Sequence, residues 1–205
     1  INKDSSILIC GGGLLDKETF LNLEYTNVTL SNLDTRTSAD KFAPYKWDYQ
    51  DAQSLSYNDD SFDYVVIHAA IHHAPMPHKV LLEMYRVSKK GILVIESKDS
   101  LMMKIMTKLK LAEEYEISAI NNPDSFGDQG GVDNSNIPNY VYRWTEYEVK
   151  KLINSYNPKF EHKINYEYEF EFSNVAQKIR NGIIKKILIM VIPIMVSILK
   201  IIIKK

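Results

Sequence analysis

Cysteine is almost absent from this 205-residue chain: Cys10 is the single one, which excludes an intramolecular disulfide framework and a cysteine-rich zinc site. Excess charge of either sign is missing as well. With 25 Lys and Arg against 26 Asp and Glu, the net charge is −1, and no basic field exists to recruit nucleic acid. No charged-then-apolar signal segment opens the chain. Its longest uncharged apolar run, 187–199, has 13 residues, short of the ~20 a bilayer-spanning helix needs. What remains is 45% apolar and 25% charged, the composition of one globular domain with a substantial core. The unpaired cysteine fits a reducing, cytoplasmic setting. The chain starts at Ile1 rather than Met, which reads as a trimmed chain that has lost an N-terminal helix.

The first 34 residues carry a nucleotide-binding pattern. A short apolar run, 6–10 (SILIC), stops at Gly11, Gly12 and Gly13, a helix is expected over 17–23, and a second strand over 28–30 leads to Asp34. Asp34 lies 21 residues beyond Gly13, close to the ~20 at which an acid accepts hydrogen bonds from ribose hydroxyls. Gly11 and Gly13 fit the dinucleotide pattern G-x-G-x-x-G, but its third position is Asp16. A carboxylate in the first helical turn suits the helix dipole and repels a diphosphate. An adenosine ligand without phosphate escapes that conflict, and S-adenosylmethionine is one.

The stretch 51–75, DAQSLSYNDDSFDYVVIHAAIHHAP, passes a turn at Asn58, Asp59, Asp60 and Ser61 and enters an apolar strand, 62–67. It leaves through a histidine-rich loop closed by Pro75. Ligands of open α/β sheets sit beyond the carboxyl ends of strands, so His68, His72 and His73 mark a pocket. An amphipathic helix, 81–87, follows, with Glu83 and Arg86 spaced to pair on its surface. Gly91 closes it before a fifth strand, 92–95, after which Glu96 and Ser97 are expected to reach the pocket. A helix is expected over 101–111.

With these motifs in place, residues 7–97 resemble a class I S-adenosylmethionine-dependent methyltransferase of the small-molecule type, the "methyltransferase domain 11" kind. The resemblance rests on ICGGG, on Asp34, on DAQSLSYNDDSFDYVV, and on IHHAP followed by LLEMYRVSKKGILVIES. It implies a Rossmann-like, doubly wound, mostly parallel sheet. It also implies that the glycine turn, Gly11, Gly12 and Gly13, lies against the methionine part of the cofactor, that Asp51 receives the adenine amino group, that Ala52 offers its backbone to the ring, and that His68 lines the methionine side. Two positions depart from the family pattern: Ile9 replaces an acid before the first glycine, and Leu15 stands where a third glycine is common.

Beyond the fifth strand, 121–139 (NNPDSFGDQGGVDNSNIPN) has no periodicity, and a loop this long is expected to be a lid. Residues 121–144 are read as that lid, its aromatic edge, Tyr140, Tyr142, Arg143 and Trp144, selecting the acceptor. Thr145 caps a helix over 146–155, with Glu148 completing a capping box. The alternation of 160–172 (FEHKINYEYEFEF) says strand, with no partner visible to close the usual hairpin. The domain is drawn at 1–173. The remainder, 174–205, is expected to form a lysine-rimmed apolar helix over 183–205, lying in a membrane interface, docking on protein or crossing as a short span.

His72 and His73 are candidates for the base that removes a proton from an acceptor hydroxyl, histidine's reference pKa being near ~6.5. No metal site is expected: no cysteine or well-spaced carboxylate joins the histidines, and adjacent His72 and His73 point apart in most backbone conformations. Tyr85 and Lys89 form the Y-x-x-x-K pair of short-chain dehydrogenases but fall at the end of a helix, and Cys10 reads as buried packing. The expectation is therefore methyl transfer from S-adenosylmethionine to a small-molecule or lipid-linked acceptor, at oxygen, in the cytoplasm or peripherally on the inner face of a membrane, with no nucleic acid partner. A catalytically silent cofactor-binding or scaffold module and an NAD-dependent oxidoreductase stay open as alternatives.

Overall fold

The computed structural model describes residues 1–120, 129–169 and 198–204. Its framework is a seven-stranded sheet: β1 Ile7–Cys10, β2 Val28–Asn32, β3 Lys46–Tyr49, β4 Phe62–His68, β5 Ser88–Ser97, β6 Lys163–Glu169 and β7 Ile198–Lys204. The order across the sheet is β3-β2-β1-β4-β5-β7-β6. The first five strands pair in parallel, and β7 runs antiparallel to both β5 and β6. This is the doubly wound, mostly parallel architecture that the resemblance implies.

Strand β1 shows why both faces must be covered. Ile7 and Ile9 enter one buried cluster with Leu30 and Phe42, while Leu8 and Cys10 enter another with Val65, Met84 and Trp144. A strand buried on both faces has no polar side, which is why SILIC reads as a continuous apolar run. The helices are α1 Leu14–Asn22, α2 Pro77–Val87, α3 Leu101–Lys108, a single turn α4 Ile117–Ile120, and α5 Glu146–Tyr156. Pro77 starts α2, where its missing amide hydrogen costs nothing. Thr145 caps α5 by accepting from the Glu148 amide at 3.2 Å, and Glu148 reaches back to the Thr145 amide, the expected capping box.

The carboxyl end of the chain departs from expectation. Most of 183–205 lies outside the described residues, but Ile198–Lys204 is a strand, not the end of a helix. Leu199, Ile201 and Ile203 face the core and are fully buried, with Ile201 opposite Val94 on one side and Tyr166 on the other. It supplies the closing strand that the alternating β6 lacked. Gly91 makes the fit possible: a Cβ there would stand 2.3 Å from the Ile203 carbonyl oxygen. Among the described residues, no helix is long and apolar enough to cross a membrane.

Candidate active site

A cleft opens where the parallel strands end, at the point where successive strands depart to opposite sides of β1. Its wall takes Gly11 from the turn after β1, Asn32 and Asp34 from the end of β2, Gln50, Asp51 and Ala52 from beyond β3, and His68 from the end of β4. Ligands of doubly wound sheets bind at such a switch point. Gly11 holds φ +66, and a Cβ on it would meet the Ala70 Cβ at 2.5 Å, so a glycine is needed both for the turn and for the approach of the loop after β4.

The other two glycines stand elsewhere. Gly12 is buried, its amide donating to the Ser31 carbonyl at 3.0 Å. Gly13 caps α1, and its amide donates to Asp16 Oδ2 at 2.8 Å. The helix N-terminus is thus occupied by the chain's own carboxylate, and a diphosphate would have to displace it.

Around the cleft, Asp34 accepts from Arg36 Nε at 2.9 Å on both oxygens, and this pairing holds its carboxyl below the usual range. Asp51 Oδ1 accepts from the Gln53 amide at 2.8 Å. The segment after Asp51 is pinned from α2: Glu83 accepts from the Leu55 amide at 2.9 Å, and Arg86, ion-paired to Glu83 at 2.7 Å, donates to the carbonyls of Leu55 and Tyr57. The expected Glu83 and Arg86 pair therefore holds the segment after Asp51 against the domain as well as decorating a helix.

The histidines divide. His73 lines the cleft, and burial with the neighbouring His72 charge keeps its pKa below the ordinary value. His72 does not line it. It is buried with Nδ1 2.8 Å from Glu96 Oε2 and Nε2 3.2 Å from Glu116 Oε2. Burial opposes its charge, but the bonds to Glu116 and Glu96 outweigh burial and push its pKa up to about 10. With both nitrogens engaged by carboxylates and the ring away from the cleft, His72 is not placed to take a proton from an acceptor held there. Glu96, expected in the pocket, is instead buried under the turn and accepts from the Ile71 amide at 2.9 Å. A 3-10 turn, Ile71–His73, brings the two imidazoles to 4.6 Å between centroids, so adjacent His72 and His73 do not point apart here.

The expected lid splits too. Residues 121–128 lie outside the described residues. Gly130, Gly131, Asp133 and Asn134 line the cleft, so the glycine-rich part of the loop reaches the site. Its aromatic edge does not. Trp144 is fully buried in the core, while Tyr140, Tyr142 and Arg143 line a separate groove with Asp99, Lys104 and Glu148. Cys10 is buried, which pushes its thiol up to about 12 and leaves it inert.

Sequence reading missed Asn32, Gln50, Gln53, Asp133 and Glu116. Asn32 sits directly at the end of β2 and donates to the Gly12 carbonyl at 3.2 Å, a place the strand count could have revealed. Glu116, 44 residues from His72, has no local signal pointing to it.

The donor set suits an adenosine ligand without phosphate: two carboxylates at strand ends, a glycine turn closed by Asp16, and, as the cleft's one lysine or arginine among the described residues, Arg36, already held by Asp34. A methyltransferase-domain family model matches residues 9–95. No curated protein matches the chain significantly. An S-adenosylmethionine-dependent methyltransferase from Methanosarcina mazei superposes with a TM-score of 0.60 at 17% identity, over 100% of this chain and 94% of its own. Another, from Archaeoglobus fulgidus, gives 0.58 at 16% identity, over 98% and 86%. The magnesium protoporphyrin IX methyltransferase of Synechocystis, solved with bound S-adenosylhomocysteine, gives 0.56 at 9% identity, over 98% and 75%. The family match falls on the strand ends that build the cleft, and the fold is the one these class I S-adenosylmethionine-dependent methyltransferases share.

Proposed function

We propose that the chain methylates an oxygen of a small-molecule acceptor presented at His73. The observation that carries this reading is the convergence of Gly11, Asp34, Asp51, Ala52 and His68 on one cleft whose wall also includes His73. In this reading Asp34 accepts from the ribose hydroxyls and Asp51 from the adenine amino group. Ala52 lies along the ring, while Gly11 and His68 flank the methionine part. The bound cofactor supplies an activated methyl on a positive sulfur. The chain's own task is then to align the acceptor with that methyl and exclude water, the glycine-rich segment around Gly130 and Gly131 covering the opening. Of the two histidines, only His73 is positioned to hold an acceptor hydroxyl.

Calorimetry with S-adenosylmethionine, its demethylated product and NAD tests the reading. Tight binding of the two methionine nucleotides and none of NAD is expected, with Asp51→Ala weakening it about tenfold. Unchanged affinity in that variant would remove the adenine assignment. Binding without turnover on hydroxyl acceptors would leave a silent module.

A lipid-linked acceptor is a second reading, favoured by α3. Leu101, Ile105 and Leu109 are exposed at four-residue spacing, beside Lys104 and Lys108. Such a stripe suits peripheral contact with an anionic membrane face on the cytoplasmic side. Co-sedimentation with anionic vesicles that Leu101→Asp abolishes would support it, and equal partitioning of both proteins would end it.

A further inference from the structure

One ligand atom from each of His72, His73 and Glu116 lies within 4.8 Å of the others, in a cluster that touches the cleft through His73. We propose that this cluster is a binding site for a divalent transition-metal cation of the zinc class.

Three observations support it. The first is spacing. Glu116 Oε2 stands 3.2 Å from His72 Nε2 and 3.5 Å from His73 Nε2. A tetrahedral ion with bonds of ~2.0–2.1 Å holds its donors roughly 3.3 Å apart. The second is the shell behind the ligands. Glu96, buried, takes His72 Nδ1 at 2.8 Å and so turns Nε2 toward Glu116 and His73, as carboxylates do behind metal-bound imidazoles. Asn139, also buried, donates to Glu116 Oε2 at 3.1 Å and fixes the carboxylate. The third is charge and softness. Glu96 and Glu116 together balance a dication, and two imidazoles favour zinc, iron, cobalt, nickel or copper over magnesium or calcium.

A set of three protein ligands, which leaves one tetrahedral position to water or substrate, is the pattern of a catalytic rather than a structural ion. A bound cation would take an acceptor hydroxyl as its further ligand and lower its pKa, so that the proton leaves to solvent and His73 serves as a ligand rather than as the base. The site itself depends on neither the acceptor nor methyl transfer, since its ligands hold no part of the proposed adenosine contacts.

The test uses the full chain, stripped with a chelator, dialysed, and titrated with Zn2+, Co2+ and Mg2+ by calorimetry. One Zn2+ per chain is expected, with Co2+ giving the visible absorption of a four- or five-coordinate site. His73→Ala and Glu116→Gln should each weaken Zn2+ binding about tenfold or more. His78→Ala, at a histidine outside the cluster, should leave it unchanged. S-adenosylhomocysteine affinity, measured in the same variants, reports that they are folded. Absence of uptake, equal uptake by the variants and the parent, or a preference for Mg2+ would each overturn the proposal.

Discussion

Gln53 donates from Nε2 to Asp133 Oδ1 at 3.2 Å across 80 residues of sequence, and the same nitrogen reaches Asp51 Oδ1 at 3.2 Å. Two carboxylates on the cleft are therefore joined through one buried amide, whose oxygen accepts from the Met76 amide at 3.1 Å. Burial, with the Asp51 charge next, raises the Asp133 pKa, so the amide also separates like charges. Gln53→Glu keeps the size and the acceptor for Met76 but places a third acid between the two. The expected outcome is cofactor affinity about tenfold lower at neutral pH, equivalent to about 1.4 kcal/mol, with the loop around Asp133 exchanging amide hydrogens faster. Calorimetry and hydrogen exchange on the same variant check it, and an unchanged pair of values would show that Gln53 does not couple loop to cleft.

At Gly11 the expected effect is larger. Gly11→Ala must adopt φ +66 and accommodate a Cβ 2.5 Å from the Ala70 Cβ, both of them main-chain-bound atoms with little freedom to move. The backbone strain alone is of order 1–3 kcal/mol. Thermal unfolding should show a lowered midpoint, and residual folded protein should bind S-adenosylhomocysteine at least tenfold more weakly. A variant with parental stability and affinity would mean that the turn does not need this geometry.

Acid pH should loosen the junction of α5 with β5 and β6. Burial alone would raise the Glu146 pKa, but the ion pair with Lys98 and the hydroxyl of Tyr168, 2.8 Å from Oε1, reverse that and lower it. A carboxyl whose folded pKa is depressed adds stability above its unfolded value, and that stability is lost as pH falls. The contribution should be complete above about pH 4.5 and disappear progressively below it. Chemical denaturation across that range should show a shallower acid loss for Glu146→Gln than for the parent. Parallel curves would remove Glu146 from the account.

Much of this fold is written in local signals. The run SILIC before three glycines, the Thr145 and Glu148 capping box, and the pairing of Glu83 with Arg86 each need only neighbouring residues, and each stands where the pattern put it. Asp34, Asp51 and His68 were legible for the same reason, since the end of a strand can be read from where its apolar run stops. Their meeting in one cleft follows from the parallel sheet. Features set by distant chain were not legible. His72 reads as a free imidazole until Glu96 and Glu116 arrive from 24 and 44 residues away. Trp144 reads as a lid aromatic until its burial beside His78 and Tyr142 is seen. β3, KWDY, has no residue fully buried and therefore no apolar run to announce it.

β7 is the plainest such case, and it supports the sharpest test. With partners on both edges and one face in the core, Ile198–Lys204 (ILKIIIK) carries the same mix of isoleucine and lysine as an interfacial helix. The two readings differ in what a single side chain does. In the sheet, Ile201 is fully buried between Val94 and Tyr166, while Ile202, its neighbour on the other face, is only partly covered. Ile201→Ala should cost about 2–5 kcal/mol and Ile202→Ala clearly less, an alternation with a period of two. On an interfacial helix, neighbouring isoleucines would instead act on membrane partitioning and leave the unfolding of the domain unchanged. Urea denaturation of the two variants decides between them: a large loss at Ile201 with a small one at Ile202 places the segment in the sheet, and equal, small losses would remove it.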